Sequence, residues 1–312
     1  MGKVIGPGSL IVDLTGYAPH LPSAGETVVG SSFKLGPGGK GSNQMTAAAR
    51  AGADVRLIGC WGKDSLCAVL REHYAREGMD TGFIRVSETQ ATGVALIEVD
   101  ENSAQNRIII APGANAEVDG RAVMAAEAEF ASSDVALCQF ETSLSAVEAT
   151  VRLAKKYGKP VILNPAPYVE TPDSLFDGVD YLTPNETETE YMTGVAVRSY
   201  GDARRAAEIL LGKGVGKVIL TLGDRGSYYF DGEKEIVLPA LPVKAEDTTG
   251  AGDAFSGGLA AALSDGFGDE TALRFAACTA SLSVTRKGSS DSMPFRREIA
   301  ELMRSAYGLD IG

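Results

Sequence analysis

An acidic residue directly after a glycine-rich turn gives residues 247–255 the strongest chemical signal in the chain. The segment reads Asp-Thr-Thr-Gly-Ala-Gly-Asp-Ala-Phe, between an apolar, β-prone run at 236–243 and an alanine- and leucine-rich helical pattern at 254–263. A glycine-rich turn at a helix start leaves backbone N–H groups unpaired, and together they stabilise an anion. A carboxylate beside such a turn, here Asp253, is the arrangement that phosphoryl transfer to an alcohol needs.

The same segment also has a purely structural interpretation. Glycines before a helix often serve only a tight turn, and an acid near a helix start is a common capping residue. Short glycine motifs are weak signals by themselves. Both interpretations therefore stay open on this segment alone.

A second glycine-rich motif lies at residues 36–44 and reads Gly-Pro-Gly-Gly-Lys-Gly-Ser-Asn-Gln, before an alanine-rich helical pattern at 44–51. The lysine spacing does not fit a Walker A loop. The glycines let the backbone approach a ligand closely, and Lys40 and Asn43 could then hydrogen-bond hydroxyl groups. The alternative is a hinge or turn that binds nothing.

Polar, turn-forming residues follow three consecutive apolar runs, at 164–167 (Asn-Pro-Ala-Pro), 183–188 (Thr-Pro-Asn-Glu-Thr-Glu) and 221–226 (Thr-Leu-Gly-Asp-Arg-Gly). Their positions predict one crevice at the strand ends of a parallel sheet. Asn185 and Glu188 share a helix face and could hold a hydrated Mg²⁺, which uses few protein oxygens. A helix-capping role for this pair is equally compatible. Asp13 and Glu141 also follow apolar runs, and could contact sugar hydroxyls or cap loops.

Composition narrows the classes of function. The chain has 312 residues, 44% of them hydrophobic, and a net charge of −12. A large core is therefore expected, and the acidic balance argues against nucleic acid and membranes as partners. Four cysteines without a Cys-x-x-Cys pair predict reduced thiols in a cytoplasmic protein, and no apolar run approaches membrane-spanning length. With only two histidines, acid–base chemistry rests mainly on carboxylates.

Strand-like runs at 55–59, 134–139, 160–163, 179–183 and 217–222 alternate with helical patterns at 65–77, 144–157, 186–193 and 202–213. This alternation of strands and helices predicts a three-layer α/β domain with a central, mostly parallel sheet between helices. Segments 26–35, 92–99 and 106–110 alternate like half-exposed strands without helices. They predict a separate small β-sheet, with strands from about 11–36 and 91–111, inserted into one domain spanning 1–312. Such a sheet needs a cover, either a substrate cleft or a second subunit.

Taken in order, the motifs resemble the ribokinase (PfkB) family of sugar kinases, over residues from about 4 to 300. They are the two glycine-rich segments, the three strand-end segments and Val-Thr-Arg-Lys-Gly-Ser at 284–289. The resemblance implies a ribokinase-like fold in which the small sheet is a lid. It implies ATP-dependent phosphorylation of the 5-hydroxyl of a pentose, with D-ribose the first choice, and Mg²⁺ and a monovalent cation, usually K⁺, as cofactors. It further implies a homodimer formed through the lid sheet.

The resemblance also implies roles for individual residues. Asp253 would be the catalytic base, kept ionised by the helix N-terminus, and fixed amide dipoles would stabilise the migrating phosphoryl group at Gly250, Ala251 and Gly252. Sugar contacts are implied at Ile11, Asp13, Gly39, Lys40, Gly41, Asn43, Glu141 and Asp253. Nucleotide contacts are implied at Asn185, Thr221, Gly223, Gly226 and Gly252, with Glu188 acting alongside Mg²⁺. The monovalent-cation site maps to Asp247, Thr249, Ser283, Arg286, Gly288 and Ser292.

Two positions depart from the family pattern. Ile11 stands where family members commonly carry asparagine, two residues before the sugar-binding Asp13. Isoleucine cannot hydrogen-bond, and a hydroxyl buried against it without a partner costs about 1–3 kcal/mol. One hypothesis is therefore a sugar lacking that hydroxyl, such as 2-deoxyribose, or another small sugar or nucleoside; the other is that a different group satisfies the hydroxyl of D-ribose. Ala277 stands where relatives often have His or Asn facing ATP, so the nucleotide preference is open.

Two other classes of function compete with a kinase. A non-catalytic sugar- or nucleotide-binding protein could share the fold, because fold does not fix function. Retention of Asp253 with an intact glycine turn favours an enzyme. A dinucleotide-dependent oxidoreductase needs Gly-x-Gly-x-x-Gly after the first strand, and Gly6-Pro7-Gly8 falls short of that pattern.

Overall fold

Two β-sheets organise the protein, in a computed structural model that describes residues 1–103 and 105–311. The strands are β1 (Lys3–Pro7), β2 (Ile11–Ala18), β3 (Ser32–Gly38), β4 (Asp54–Gly62), β5 (Ile84–Ser87), β6 (Gly93–Asp100), β7 (Asn106–Ala111), β8 (Val135–Gln139), β9 (Val161–Asn164), β10 (Tyr181–Leu182), β11 (Lys217–Thr221), β12 (Ser227–Phe230) and β13 (Glu235–Leu238). The helices are α1 (Lys40–Arg50), α2 (Cys67–Glu77), α3 (Gly120–Ala125), α4 (Glu127–Ser132), α5 (Leu144–Tyr157), α6 (Glu186–Thr193), α7 (Tyr200–Gly212), α8 (Ala251–Ser264), α9 (Asp269–Ser283) and α10 (Arg296–Tyr307).

The main sheet has the order β13-β12-β11-β10-β9-β8-β1-β4-β5 within the described residues. Strands β11 to β5 pair in parallel, and β12 and β13 add an antiparallel edge. All five residues of β8 are buried, as expected for a strand covered on both faces. One apolar cluster packs α5 and α7 against the sheet, and another packs α8 and α9. The predicted α/β architecture is confirmed.

Helix ends follow local capping chemistry. Helix α5 begins after Ser143, whose hydroxyl accepts a hydrogen bond from the Ala146 N–H, and it ends at Gly158 in a left-handed conformation. A serine N-cap and a glycine C-cap satisfy backbone groups that the helix leaves unpaired. The sequence predicts this helix with the observed bounds.

The second sheet, called the small sheet below, has four strands in the order β3-β2-β6-β7 and is separate from the main sheet. The predicted second sheet is confirmed. Strand β2 runs parallel to β6, and both outer pairings are antiparallel. The strand predicted at 26–35 begins only at Ser32, because the antiparallel pairing of β3 with β2 begins there, with Ser32 opposite Tyr17 near the end of β2. Before it, Gly25 has a positive φ and the Glu26 carboxylate accepts from the Ser23 N–H, so the chain turns.

Three further boundaries differ from the prediction. Asp13 lies inside β2 rather than after it, and helix α1 begins at Lys40 rather than at Gln44. The apolar run at 236–243 is a strand only as far as Leu238. Pro239 and Pro242 follow, and proline cannot donate a ladder hydrogen bond.

The cysteines pack as small apolar groups. Cys60, Cys138 and Cys278 are buried, Cys67 is partly exposed, and all four are free thiols. Burial raises the pKa of Cys138 to about 12. Across the described ranges, we find no helix with the length and apolar character that a bilayer crossing requires.

Candidate active site

Two glycine-rich turns begin the neighbouring helices α1 and α8. Gly39 precedes α1 with φ of 89°, and Gly250 precedes α8 with φ of 77°. A Cβ on Gly39 would lie 2.8 Å from the Ser9 carbonyl oxygen, and one on Gly41 would lie 2.1 Å from the Gly8 Cα. Gly39 combines a positive φ with close backbone approach, Gly250 has the positive φ alone, and Gly41 has the close approach alone. Each of these conditions favours glycine.

Asp253 is buried in the first turn of α8 and is held by two carboxamides. Its Oδ2 accepts from Asn43 Nδ2 at 2.9 Å, and its Oδ1 accepts from Gln44 Nε2 at 2.9 Å. The charge of Asp253 is the main cause that raises the pKa of the Lys40 ammonium, against the opposing effect of burial. A carboxylate and an ammonium group therefore act on each other where the two turns meet.

The turn before α8 has backbone amides available to an anion. Within the described chain, the N–H groups of Gly250, Gly252 and Asp253 have no hydrogen-bond partner, whereas the Ala251 N–H donates to the Thr248 carbonyl at 3.2 Å. A Cβ on Gly252 would meet no atom within 4 Å. Two of the three amides predicted for the anion hole are thus free beside open space.

Asp13 and Glu141 approach the same region from β2 and from the end of β8. The Ser289 hydroxyl donates to Asp13 Oδ2 at 3.1 Å, and burial raises the pKa of Asp13 to about 6, with the charge of Glu141 adding to the rise. Glu141 Oε2 accepts from the Ser9 hydroxyl at 2.6 Å and from the Lys40 N–H at 2.9 Å. Acidic residues far apart in sequence therefore converge on the start of α1.

Ile11 lies at the base of the small sheet, two residues before Asp13, and is 4% exposed. It pairs with Gly38 on β3 and with Gly93 on β6. A Cβ on Gly39 would lie 2.9 Å from Ile11 Cγ1, and one on Gly93 would lie 2.8 Å from Ile11 Cδ1. An apolar side chain therefore fills this space beside the glycine turn.

A cavity of about 430 Å³ lies beside the α8 turn. Ala277 lines this cavity, and so does every residue predicted to contact nucleotide, namely Asn185, Thr221, Gly223, Gly226 and Gly252. A smaller cavity of about 150 Å³ shares Asn185, Thr221 and Gly252 with it, and reaches Lys40, Glu188 and Asp253. The predicted nucleotide residues thus line a cavity that adjoins the one containing the buried carboxylate.

Asn185 and Glu188 form a capping box at the start of α6. Asn185 Oδ1 accepts from the Glu188 N–H at 2.8 Å, and Glu188 Oε2 accepts from the Asn185 N–H at 2.9 Å. Burial is the first cause that raises the pKa of Glu188. The capping interpretation is correct, and the box still leaves Asn185 Nδ2 and Glu188 Oε1 without a hydrogen-bond partner among residues 1–103 and 105–311.

The residues predicted for a monovalent cation fall in two segments, before α8 (Asp247, Thr249) and after or at the end of α9 (Ser283, Arg286, Gly288, Ser292). Asp247 joins the segments, because its carboxylate accepts from the Thr249 N–H at 2.9 Å and the Gly288 N–H at 3.0 Å. The described chain contains no group of three His, Cys, Asp or Glu residues that could hold a metal. Apart from Asp247, the residues that the resemblance assigns to a cation offer backbone and hydroxyl oxygens, a donor type that suits K⁺.

Three polar residues at the site were missed by sequence reasoning: Gln44, Ser289 and Ser290. Gln44 donates to Asp253, Ser289 to Asp13, and Ser290 donates to Asn43 Oδ1 at 2.6 Å. Gln44 directly follows Asn43 in the second glycine-rich motif, and the serines directly follow Gly288. Their positions next to motif residues were the one signal in the sequence that could have identified them as site residues.

Comparison with known proteins identifies the family of this chain. The family model for pfkB family carbohydrate kinases matches residues 1–296. A ribokinase of Haemophilus influenzae is 40% identical over 96% of this chain and 97% of its own length, and a deoxyribokinase of Salmonella typhimurium is 35% identical over 95% and 97%. Among solved structures, the Thermotoga maritima ribokinase superposes with a TM-score of 0.87 at 37% identity, covering 97% of this chain and 99% of that one. The Arabidopsis thaliana ribokinase complexed with ribose and ATP superposes with a TM-score of 0.88 at 32% identity, covering 97% and 98%. The chain therefore belongs to the pfkB family of carbohydrate kinases.

Proposed function

We propose that the protein transfers the γ-phosphoryl group of ATP to the 5-hydroxyl of a pentose, with D-ribose the first choice. The observation that carries this proposal is the position of Asp253. Asp253 is buried, lines the smaller cavity together with Asn185 and Thr221, and accepts a hydrogen bond from Asn43 beside unpaired helix amides. The ribokinase relatives, one of them complexed with ribose and ATP, support the same substrates.

In this mechanism the substrate hydroxyl proton passes to the Asp253 carboxylate. The hydroxyl oxygen forms a bond to the γ-phosphorus while the bond from that phosphorus to the bridging oxygen of ADP breaks. The turn Gly250–Ala251–Gly252 stabilises the transferring group through its backbone dipoles, which need no reorganisation. The partly buried Lys40 ammonium, in the smaller cavity with Asp253, adds a positive charge.

The sugar binds, in this proposal, between the small sheet and the start of α1. The Asp13 and Glu141 carboxylates accept hydrogen bonds from sugar hydroxyls, and Asn43 adds a polar contact next to Asp253. Gly39 and Gly41 let the start of α1 pack directly against the backbone of Ser9 and Gly8, where a side chain would collide, and so hold Lys40 and Asn43 beside the proposed sugar position. The small sheet then covers the sugar as a lid.

The cation proposals rest on the donor groups present. Glu188, with its free Oε1, and Asn185 suit a hydrated Mg²⁺ that keeps several waters. A bound Mg²⁺ would neutralise phosphate charge during transfer. The oxygens around Asp247, Thr249, Ser283, Arg286, Gly288 and Ser292 suit K⁺. Asp247 links both segments there, so an ion at this position would order the turn that begins α8.

2-Deoxyribose is the alternative substrate, because Ile11 is apolar and closely packed. A sugar hydroxyl placed against it would lack a protein partner, whereas a deoxy carbon would not need one. The deoxyribokinase relative at 35% identity is compatible with this choice. Kinetics on both sugars separate the two substrates.

We also propose a cytoplasmic homodimer that forms through the small sheet. Residues paired across the strands share one face of a sheet, so Leu35, Leu14, Leu96 and Ile109 form a row across all four strands. Leu96 is 47% and Ile109 is 67% exposed, and an apolar face of this kind favours a second copy as its cover. The free thiols support the compartment.

The experiment for the proposed function is an ADP-release assay with a panel of sugars, each with and without Mg²⁺ and K⁺. We expect Mg²⁺-dependent ADP release with D-ribose or 2-deoxyribose, increased by K⁺. If neither sugar causes ADP release although calorimetry shows that a sugar binds, the result would instead favour a non-catalytic binding protein.

A further inference from the structure

Gln44 occupies the centre of a buried chain of carboxamides that ends on Asp253. Its side chain is fully buried. Its Nε2 donates to Asp253 Oδ1 at 2.9 Å and to Asn164 Oδ1 at 3.1 Å. Its Oε1 accepts from Gln139 Nε2 at 2.8 Å. The glutamine therefore connects helix α1 to the ends of β8 and β9 and to the first turn of α8.

The direction of this chain is set at its ends. Asn164 Nδ2 donates to the Thr183 carbonyl at 2.9 Å, and a carbonyl oxygen can only accept. Asn164 must therefore present its oxygen to Gln44, and Gln44 must present its N–H groups to Asn164 and Asp253. An ionised carboxylate is likewise an acceptor only, so Gln44 Nε2 meets an acceptor in both of its bonds when Asp253 is ionised. At the other end of the chain, Gln139 Oε1 is buried without a hydrogen-bond partner among the described residues.

The carboxamides that orient Gln44 come from the carboxyl ends of two central strands of the main sheet. Gln139 and Asn164 lie opposite each other in the pairing of β8 with β9, and both are buried. Rotation of the Gln44 amide by half a turn would break its bonds to Asp253, Asn164 and Gln139 together. A buried polar group without partners is costly, so the amide has one favoured orientation.

We propose that Gln44 is a positioning residue for the general base. It fixes one oxygen of Asp253 in the ionised form, while Asn43 fixes the other, so that the carboxylate meets the sugar hydroxyl in one orientation. This inference rests on the proposed role of Asp253. The other charged groups acting on Asp253 are Lys40 from α1, Asp13 from β2 and Glu188 from α6. All three stay unchanged in the variants below.

Two substitutions separate positioning from simple packing. Gln44→Met keeps the side-chain volume and removes the donor. We expect kcat to fall about 10–100-fold, the effect of losing a hydrogen bond to a charged group, with KM for sugar and ATP within about threefold of wild type.

Gln44→Glu places a second carboxyl group against Asp253. Two carboxyls at hydrogen-bond distance share a proton, so the acid limb of the kcat–pH profile should move up by about one pH unit or more.

Thr46→Val is the matched control on the same helix. Thr46 is also fully buried, but its hydroxyl pairs with His73 Nε2 at 3.0 Å rather than with Asp253. The variant should lower the melting temperature while leaving the kcat–pH profile as in wild type. If Gln44→Met does not fold, Gln139→Met tests the same chain, since Gln139 reaches Asp253 only through Gln44. A lower kcat at unchanged KM supports the inference there too.

The outcomes distinguish this inference from the proposed function. The positioning role is overturned if Asp253→Asn is inactive while Gln44→Met and Gln44→Glu keep the wild-type kcat and pH profile. If Gln44→Met does not fold, the single variants Gln139→Met and Gln44→Glu take its place in this comparison. Wild-type turnover in Asp253→Asn removes the general base itself, and the proposed mechanism fails with it.

Discussion

Asn43 Nδ2 lies 2.9 Å from Asp253 Oδ2, although the two residues are 210 positions apart in the chain. Asn43 belongs to the turn that begins α1, and Asp253 to the turn that begins α8. The Ser290 hydroxyl donates to Asn43 Oδ1 at 2.6 Å, which directs the amide N–H toward the carboxylate. The two glycine-rich motifs therefore form one site through this contact.

Replacing Asn43 with leucine should impair the site without unfolding the protein. The change removes a donor to Asp253 and the acceptor of Ser290, so we expect kcat/KM for the sugar to fall about 10–100-fold. Steady-state kinetics measure the loss. Ser42→Ala is the neighbouring control, because the Ser42 hydroxyl accepts from the Tyr74 hydroxyl at 2.8 Å and not from the site. Wild-type kcat/KM in Asn43→Leu would contradict this role.

Asp13 should make the free protein less stable as the pH rises. Burial raises its pKa from 3.8 to about 6, so the folded state binds the proton more tightly than the unfolded state. The tighter proton binding by Asp13 adds to the free energy of unfolding. This added stability is fully present below pH 3.8 and is lost as the pH rises through about 6. Asp13→Asn removes the cost of ionisation, and its melting temperature relative to wild type should be higher at about pH 8 than at about pH 4.

The same substitution should abolish tight sugar binding, because the amide replaces an acceptor with a donor. Calorimetric titration with the preferred sugar checks this loss. An equal difference in melting temperature at both pH values would contradict the buried ionisation of Asp13.

Ile11 should control the choice between D-ribose and 2-deoxyribose. Ile11→Asn supplies hydrogen-bonding groups, so we expect the ratio of kcat/KM for ribose over 2-deoxyribose to rise about tenfold, with some loss of thermal stability. Ile11→Val keeps the apolar character and should leave the ratio unchanged. An unchanged ratio in Ile11→Asn would remove Ile11 from specificity, and a wild-type ribose preference of about 100-fold or more would remove the deoxyribose alternative.

Leu96→Glu should convert the proposed dimer into a monomer. The substitution places a charge in the middle of the apolar row on the small sheet, where a second copy would have to bury it. Size-exclusion chromatography with light scattering measures the mass. Val237→Glu is the control, since Val237 is an exposed apolar residue on β13 of the main sheet. A Leu96→Glu variant that remains dimeric would place the interface elsewhere.

The elements of the fold were predictable from sequence where local patterns decide them. Helix α5 has its own cap residues, and buried strands such as β8 read as continuous apolar runs. The start of β3 was not predictable from residues 26–35 alone, because the partner strand β2 determines it through Tyr17.

The site divides in the same way. The positions of Asp253 and Asn43 follow from their glycine motifs, and Asn185 with Glu188 follows from helical spacing. The bond from Gln44 to Asp253 depends on how α1 packs on α8, and the partners of Gln44 depend on the register of β8 with β9. Contacts of that kind arise only once the sheet has assembled.

Asp253→Asn gives the most direct test of the central claim, measured as kcat for sugar-dependent ADP release alongside calorimetric binding of sugar and nucleotide. The amide keeps the size of the side chain and cannot accept the hydroxyl proton. We predict a fall in kcat of about a thousandfold, within the range for loss of a general base, with both ligands still bound. Turnover equal to wild type would contradict the assignment of Asp253 as the base, and with it the proposed mechanism.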